Sequence, residues 1–201
     1  AIGFRALKVQ NAGANAYNTA VGYSSGIAIT TAIKNTLIGA LSGDAITEGG
    51  FNVAVGYDAL SANTIGNSNV AIGETALAAN VAGDRNVAIG TQALTAMTSA
   101  TTLDTYNTAI GYNAGLSVTT GTVNTIIGGL AGDALTTGTR NTAVGAFALS
   151  TEDAHGNNTA FGYQALLTLN AGAEGYNVAV GVDAGRLMTT GIYNTLIGGL
   201  A

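Results

Sequence analysis

The chain has no cysteine, no proline and no tryptophan, and only 8% of its residues are charged, against roughly 25% in an ordinary globular domain. Without cysteine there is neither a disulfide framework nor a thiolate metal site. Six basic residues, scattered singly against eleven acidic ones for a net charge of −5, form no patch that could neutralise phosphates, which sets nucleic-acid binding aside. No apolar run reaches the ~18 residues of a membrane-spanning helix, so membrane insertion is not expected of this segment. Glycine is abundant, 30 of 201 residues, but without a Gly-X-Y period, which excludes collagen. A hydrophobic content of 47% argues against disorder.

What is present is a repeat. The pentapeptide Asn-Thr/Val-Ala-Val/Ile-Gly, with variants, begins at Asn18, Asn35, Asn52, Asn69, Asn86, Asn107, Asn124, Asn141, Asn158, Asn177 and Asn194. It closes on Gly22, Gly39, Gly56, Gly73, Gly90, Gly111, Gly128, Gly145, Gly162, Gly181 and Gly198. Most repeats are 17 residues long, with longer ones of 21 from Asn86 and 19 from Asn158. A fixed period of this size is the signature of a solenoid, in which each turn buries its apolar side against the turns above and below. The expectation is an all-β parallel β-solenoid of about twelve turns, one repetitive segment over 1–201. At a strand spacing of about 4.8 Å, twelve turns make a rod of roughly 55 Å. Ala1-Ile2-Gly3 are positions 3 to 5 of the motif, so the chain reads as a segment of a longer fibrous protein.

Numbering each turn from its motif Asn, position 4 is Val, Ile or Phe throughout, which is strand-type usage. Alternation puts positions 2 and 4 on one face and positions 1, 3 and 5 on the other. The Val/Ile face is expected to be core. The Asn-Ala-Gly face, made of small residues that let a second backbone approach, is then the candidate contact with a neighbouring chain. The eight tyrosines bracket the strand on the parity of the Val/Ile face, where some would cap the core with the hydroxyl in water; a stripe for carbohydrate stacking is the alternative. Asn side chains at position 1 are expected to hydrogen-bond up the axis as a ladder.

Turns divide into two kinds at positions 8 and 9. Ala-Leu follows in the turns from Asn52, Asn69, Asn86, Asn141 and Asn158, and Ala/Ser-Gly in those from Asn18, Asn35, Asn107, Asn124 and Asn177. In the Gly turns position 12 is apolar (Ile29, Ile46, Val118, Leu135, Met188), whereas two of the Leu turns place Asn there (Asn63, Asn80) and another Glu152. The second wall should therefore take its apolar side chain from position 9 or from position 12. Gly or a small residue returns at position 15, where the chain must reverse. Blocks of turns are duplicated as well: residues 1–17 closely match 160–176, which is how a long fibre grows.

Asn-Val-Ala-Ile-Gly at 69–73 and 86–90 resembles the head repeats of trimeric autotransporter adhesins of the YadA type. Asn-Thr-Ala-Phe-Gly-Tyr-Gln-Ala-Leu at 158–166 is similar to repeats in phage tail-fibre shafts. The resemblance implies a left-handed β-roll packed as a homotrimer, an extracellular, cell-surface or virion-tail location, and a host surface receptor or glycan as partner. The unit of 17 residues is longer than that of the adhesin heads, and the segment contains no neck, coiled-coil heptads or membrane anchor.

Matches to catalytic motifs are explained better by the repeat. Gly22-Tyr23-Ser24-Ser25-Gly26 fits the nucleophile elbow, but Ser24 shares its repeat slot with Asn113 and Asp183, and the single His155 lies seven turns away. Gly128-Gly129-Leu130-Ala131-Gly132 lacks the Gly-Lys-Ser/Thr of a phosphate loop. Asp44 and Asp133 share position 10 five turns apart, too far to share a metal. Asp84, Arg85, Glu152 and Asp153 read as solvated corner charges, and His155 as exposed and without a partner ligand. No enzyme activity, cofactor or metal is therefore expected. The function expected is structural and adhesive, as part of a phage tail fibre or surface adhesin; a self-assembling filament is the alternative. An ice-binding solenoid is less favoured, because the recurring Thr at position 2 shares its face with the Val/Ile column and is expected to be buried.

Overall fold

The computed structural model describes residues 1–12 and 15–201. Its contacts divide the chain into two compact units, Ala1–Thr105 and Tyr106–Ala201. The first contains β1 (Thr19–Val21), β2 (Thr36–Ile38), β3 (Val53–Val55), β4 (Val70–Ile72) and β5 (Val87–Ile89). The second contains β6 (Thr108–Ile110), β7 (Thr125–Ile127), β8 (Thr142–Val144), β9 (Thr159–Phe161), β10 (Val178–Val180) and β11 (Thr195–Ile197). Each unit is a parallel β-solenoid with one three-residue strand per turn, paired in strict repeat register, as in Val53↔Val70 or Thr142↔Thr159. Among the described residues there is no helix, and hence none long and apolar enough to cross a membrane.

The parity of the strand is the reverse of the expectation. Position 3 faces the interior and is fully buried from Ala20 and Leu37 through Ala160 and Ala179, and the motif Asn residues from Asn35 to Asn177 are buried beside it. Positions 2 and 4 face outward and are half-buried or exposed in every strand. The Asn-Ala-Gly face is therefore core, and the Val/Ile face is not. The physical reason is thickness: the opposite wall comes so close that the strand contributes mostly Ala, and two β-branched columns would not fit between the walls.

The second wall behaves as the two turn types suggest. Leu60, Leu77, Leu94, Leu149 and Leu166 at position 9 are fully buried, as are Ile29, Ile46, Val118 and Leu135 at position 12 of the Gly turns. The two sets compete for one volume. A Cβ added at Gly43 would lie 2.7 Å from Ile46 Cδ1 and 2.9 Å from Leu37 Cδ2. Where position 9 is Gly, the space it vacates is filled from position 12 and from Leu37 or Ile126 at position 3.

Corners are made by residues in the left-handed region, and most are not glycine. Positions 7, 9 and 17 repeat it, as in Asp58 (φ 59), Leu60 (φ 56) and Ser68 (φ 58). Each such residue carries roughly 1–2 kcal/mol of intrinsic strain. The offsetting gain is that the N–H groups turn along the axis and bond to adjacent turns: Asp58 N to Ala40 O at 3.0 Å, Leu60 N to Ala76 O at 3.0 Å, and Ser68 N to Gly50 O at 3.0 Å. Corners thus stay in the inter-turn hydrogen-bond network although they are not strand. The chain reverses at position 17, while Gly49, Gly66 and Gly121 at position 15 are small because a Cβ there would meet the next turn's glycine carbonyl at 2.4, 2.7 and 2.4 Å respectively.

Candidate functional site

Because the strand parity is inverted, the surface that each unit offers is the Thr/Val and Val/Ile/Phe face. It is flat, free of charge at positions 2 and 4, and carries exposed Ile38 and Ile72 in the first unit and Phe161 and Val180 in the second. The tyrosines extend it on both edges. Tyr23, Tyr57, Tyr112 and Tyr163 follow the motif Gly, and Tyr17, Tyr106, Tyr176 and Tyr193 precede the motif Asn; all are exposed. They stand beside the outer face and do not cap the core. Neighbouring aromatics pair along the axis: Phe4 stacks on Tyr23 at 5.7 Å between centroids, and Tyr176 on Tyr193 at 5.3 Å. Lys34 Nζ sits 4.8 Å from the centre of the Phe51 ring at the same edge, a cation–π contact.

Inside the roll, the motif Asn residues form the expected ladder, with the amide used more fully than stacking alone requires. Along the regular turns Oδ1 accepts the backbone N–H of the next motif Asn, as from Asn52 to Asn35 at 2.9 Å and from Asn124 to Asn107 at 3.0 Å, while Asn86 Oδ1 accepts from the Thr105 hydroxyl. In most turns Nδ2 donates to a carbonyl across its own turn, as Asn52 to Gly66 at 2.9 Å and Asn107 to Gly121 at 2.8 Å, whereas Asn86 Nδ2 donates to Asp84 O and the buried Asn158 Nδ2 finds no acceptor among the described residues. One side chain thus bonds layer to layer and strand to opposite corner, satisfying buried backbone groups that would otherwise be costly. Asn86 and Asn69 also bond amide to amide at 3.1 Å. The motif glycines form a second column, at φ from 129° to 144°, where no L side chain is comfortable. These two columns are structural.

Ser24 occupies a left-handed corner (φ 53) in the slot of Leu41 and Asp58. It is the adjacent Ser25 whose hydroxyl is engaged, 3.0 Å from Ser42 Oγ and 3.2 Å from Leu37 O. Gly128 lies in the motif glycine column, its Cβ position 2.6 Å from the Gly145 carbonyl. Asp44 is half-buried near Asp58 of the next turn; burial, and then the negative charge of Asp58, raise its pKa above the usual 3.8. A cavity of about 390 Å³ is lined by Gly185, Met188, Leu196 and Leu200. These are positions 9, 12, 3 and 7, so the cavity is the interior of the roll at its last turn.

Arg85, paired with Asp104, keeps half of its side chain exposed and is a solvated corner charge as expected. One charge is not. Glu152 is fully buried, although it was expected in solvent, because position 12 points inward as Asn63 and Asn80 do. Its Oε1 lies 3.2 Å from His155 Nδ1 and accepts the His155 backbone N–H at 3.2 Å, while Oε2 accepts from Ala171 N at 3.2 Å. His155 is accordingly half-buried and partnered, with 27% of its side chain exposed. Asp153, also beside it, remains exposed. The sequence held the signal: Glu152 stands in a column whose other members are Asn, Met or aliphatic, which is an interior composition.

No family model, curated protein or solved structure matches the chain.

Proposed function

We propose that the chain is a structural and adhesive segment of an extracellular fibre, in a phage tail fibre or a cell-surface adhesin. In this reading it is a homotrimer of left-handed β-rolls, with no catalytic role. The observation that carries the proposal is the outward strand face: an uncharged Thr/Val and Val/Ile/Phe surface edged by exposed Tyr. An apolar sheet face of this kind, repeated without interruption by charge, is what a monomer in water does not keep bare. A second and third copy of the same chain are the occupants that match it, because every turn offers the same pattern at the same spacing and like faces then meet in register. The variable corners, which hold the charges, remain outside and would contact a receptor or glycan. A self-assembling filament differs only in how such copies close or fail to close. Sedimentation equilibrium tests the trimer: three chain masses are expected, and a monomeric chain at micromolar concentration sinks the proposal.

A second reading gains support from the same face. Thr19, Thr36, Thr108, Thr125, Thr142, Thr159 and Thr195 at position 2 point outward rather than into the core, Thr19 and Thr195 exposed and the others half-buried, which is the side on which an ice-binding solenoid needs them, though Val takes the position in four turns. A thermal hysteresis measurement separates the two: the fibre reading predicts no gap between melting and freezing points.

A further inference from the structure

We propose that the corner formed by Glu152, Asp153 and His155 is a divalent-cation site, and that zinc is the cation it suits. The turn from Asn141 departs from its sister turns at two linked positions. In the turns from Asn52 and Asn69 position 12 is Asn and position 15 is Gly, and the amide donates across the corner, as Asn63 Nδ2 to Gly66 O and Asn80 Nδ2 to Gly83 O, both at 3.0 Å. Here the pair is Glu152 and His155. A carboxylate cannot donate, so that bond is lost and only the accepting one is kept: Glu152 accepts from the His155 N–H as Asn80 Oδ1 accepts from the Gly83 N–H.

The exchange puts a charge where the sister turns have none. Glu152 is fully buried, and among the described residues its ion-pair partner is the half-exposed His155, with no Lys or Arg paired to it. A buried carboxylate is costly unless a positive group compensates it. The neighbouring acids deepen the deficit: Asp153 adjoins it, and Glu174 of the next turn accepts from Gly156 N at 3.2 Å and from Asn157 Nδ2. Two of these acids, Glu152 and Asp153, have a ligand atom within 4.8 Å of one on the imidazole.

The geometry fits a tetrahedral metal. With zinc bonds of about 2.0–2.1 Å to N and O, ligand atoms lie about 3.3 Å apart. Glu152 Oε1 and His155 Nδ1 are 3.2 Å apart, and one ligand atom from each of Glu152, Asp153 and His155 lies within 4.8 Å of the others. Turning the exposed Asp153 side chain closes the third edge, and water takes the fourth position. One imidazole with two carboxylates suits zinc better than calcium or magnesium, which take oxygen ligands only. On binding, the metal replaces the Nδ1···Oε1 hydrogen bond, and both atoms become ligands. The ion then ties position 12 to position 15 and holds the corner before Asn158 against the turn that follows.

The test is calorimetric titration of the chelator-treated chain with zinc chloride at neutral pH, paired with thermal melts. The wild-type chain is expected to bind one zinc per chain with a rise in Tm. His155→Gly, which restores the residue found at Gly66 and Gly83, is expected to fold and to lose both effects; Glu152→Gln is expected to lose them too. A wild-type chain that takes up no zinc, or a folded His155→Gly chain that binds it as tightly, overturns the proposal. A calcium response equal to that of zinc overturns the choice of metal.

Discussion

Gly56 has φ +137, and a Cβ there would fall 2.5 Å from the Gly73 carbonyl oxygen and 2.7 Å from its carbon. The obstructing atoms are backbone, so no rotamer change relieves the clash, and the next turn has the same glycine in the same place. Gly56→Ala is therefore expected to cost about 4 kcal/mol or more, among the largest single-residue effects, read as a collapse of the chemical denaturation midpoint. Asp44 tests the opposite sign. Its pKa is raised by burial and by Asp58, so between the ordinary value of 3.8 and the higher folded value the folded chain binds more protons than the unfolded one. Stability contributed by this group is thus full below the ordinary value and declines as pH rises through the folded value. Asp44→Asn removes the ionisation and is expected to raise Tm at neutral pH, with the gain shrinking toward acid. A gain that grows on acidification would contradict that assignment.

At the scale of the turn, position 9 and position 12 exchange one volume. Leu60→Gly is expected to lose about 3 kcal/mol, since a core side chain vanishes and only part of that loss is returned by relief of its left-handed strain. Adding Asn63→Ile should recover much of it, because Gly with Ile is the arrangement that Gly43 and Ile46 already use. If the double variant is no more stable than Leu60→Gly alone in urea titrations, the exchange is not the rule. This trade was legible from residues, because Gly at 9 and an aliphatic at 12 occur together along the chain. Strand parity was not legible by the same reasoning. Val and Ile at position 4 were read as core on strand propensity, which measures fit to a pleated surface and not the side on which that surface is buried. The discriminating columns were position 3, which is Ala, Leu or Ile in every turn, and position 2, which accepts Thr. A one-residue shift of parity moves every side chain to the other face, so this single point moves the candidate interaction surface from the Asn-Ala-Gly column to the Thr/Val and Val/Ile/Phe columns. Glu152 was not legible for a related reason: its charge points to solvent, whereas its column of Asn, Met and aliphatic residues points inward.

For the whole molecule, the account rests on the outward face being both non-essential to the core of one chain and essential between chains. Ile72 is exposed on that face, whereas its neighbour Ala71 is fully buried. A charge at Ala71 has no room and no water, and Ala71→Asp is expected to prevent folding. A charge at Ile72 is tolerated by one roll but not by copies packed face to face. The most direct measurement is sedimentation equilibrium of the wild-type chain and Ile72→Asp side by side, with circular dichroism to confirm β structure in both. The account predicts three chain masses for the wild type and a folded monomer for Ile72→Asp; a monomeric wild type, or an Ile72→Asp chain that is still trimeric, would contradict it.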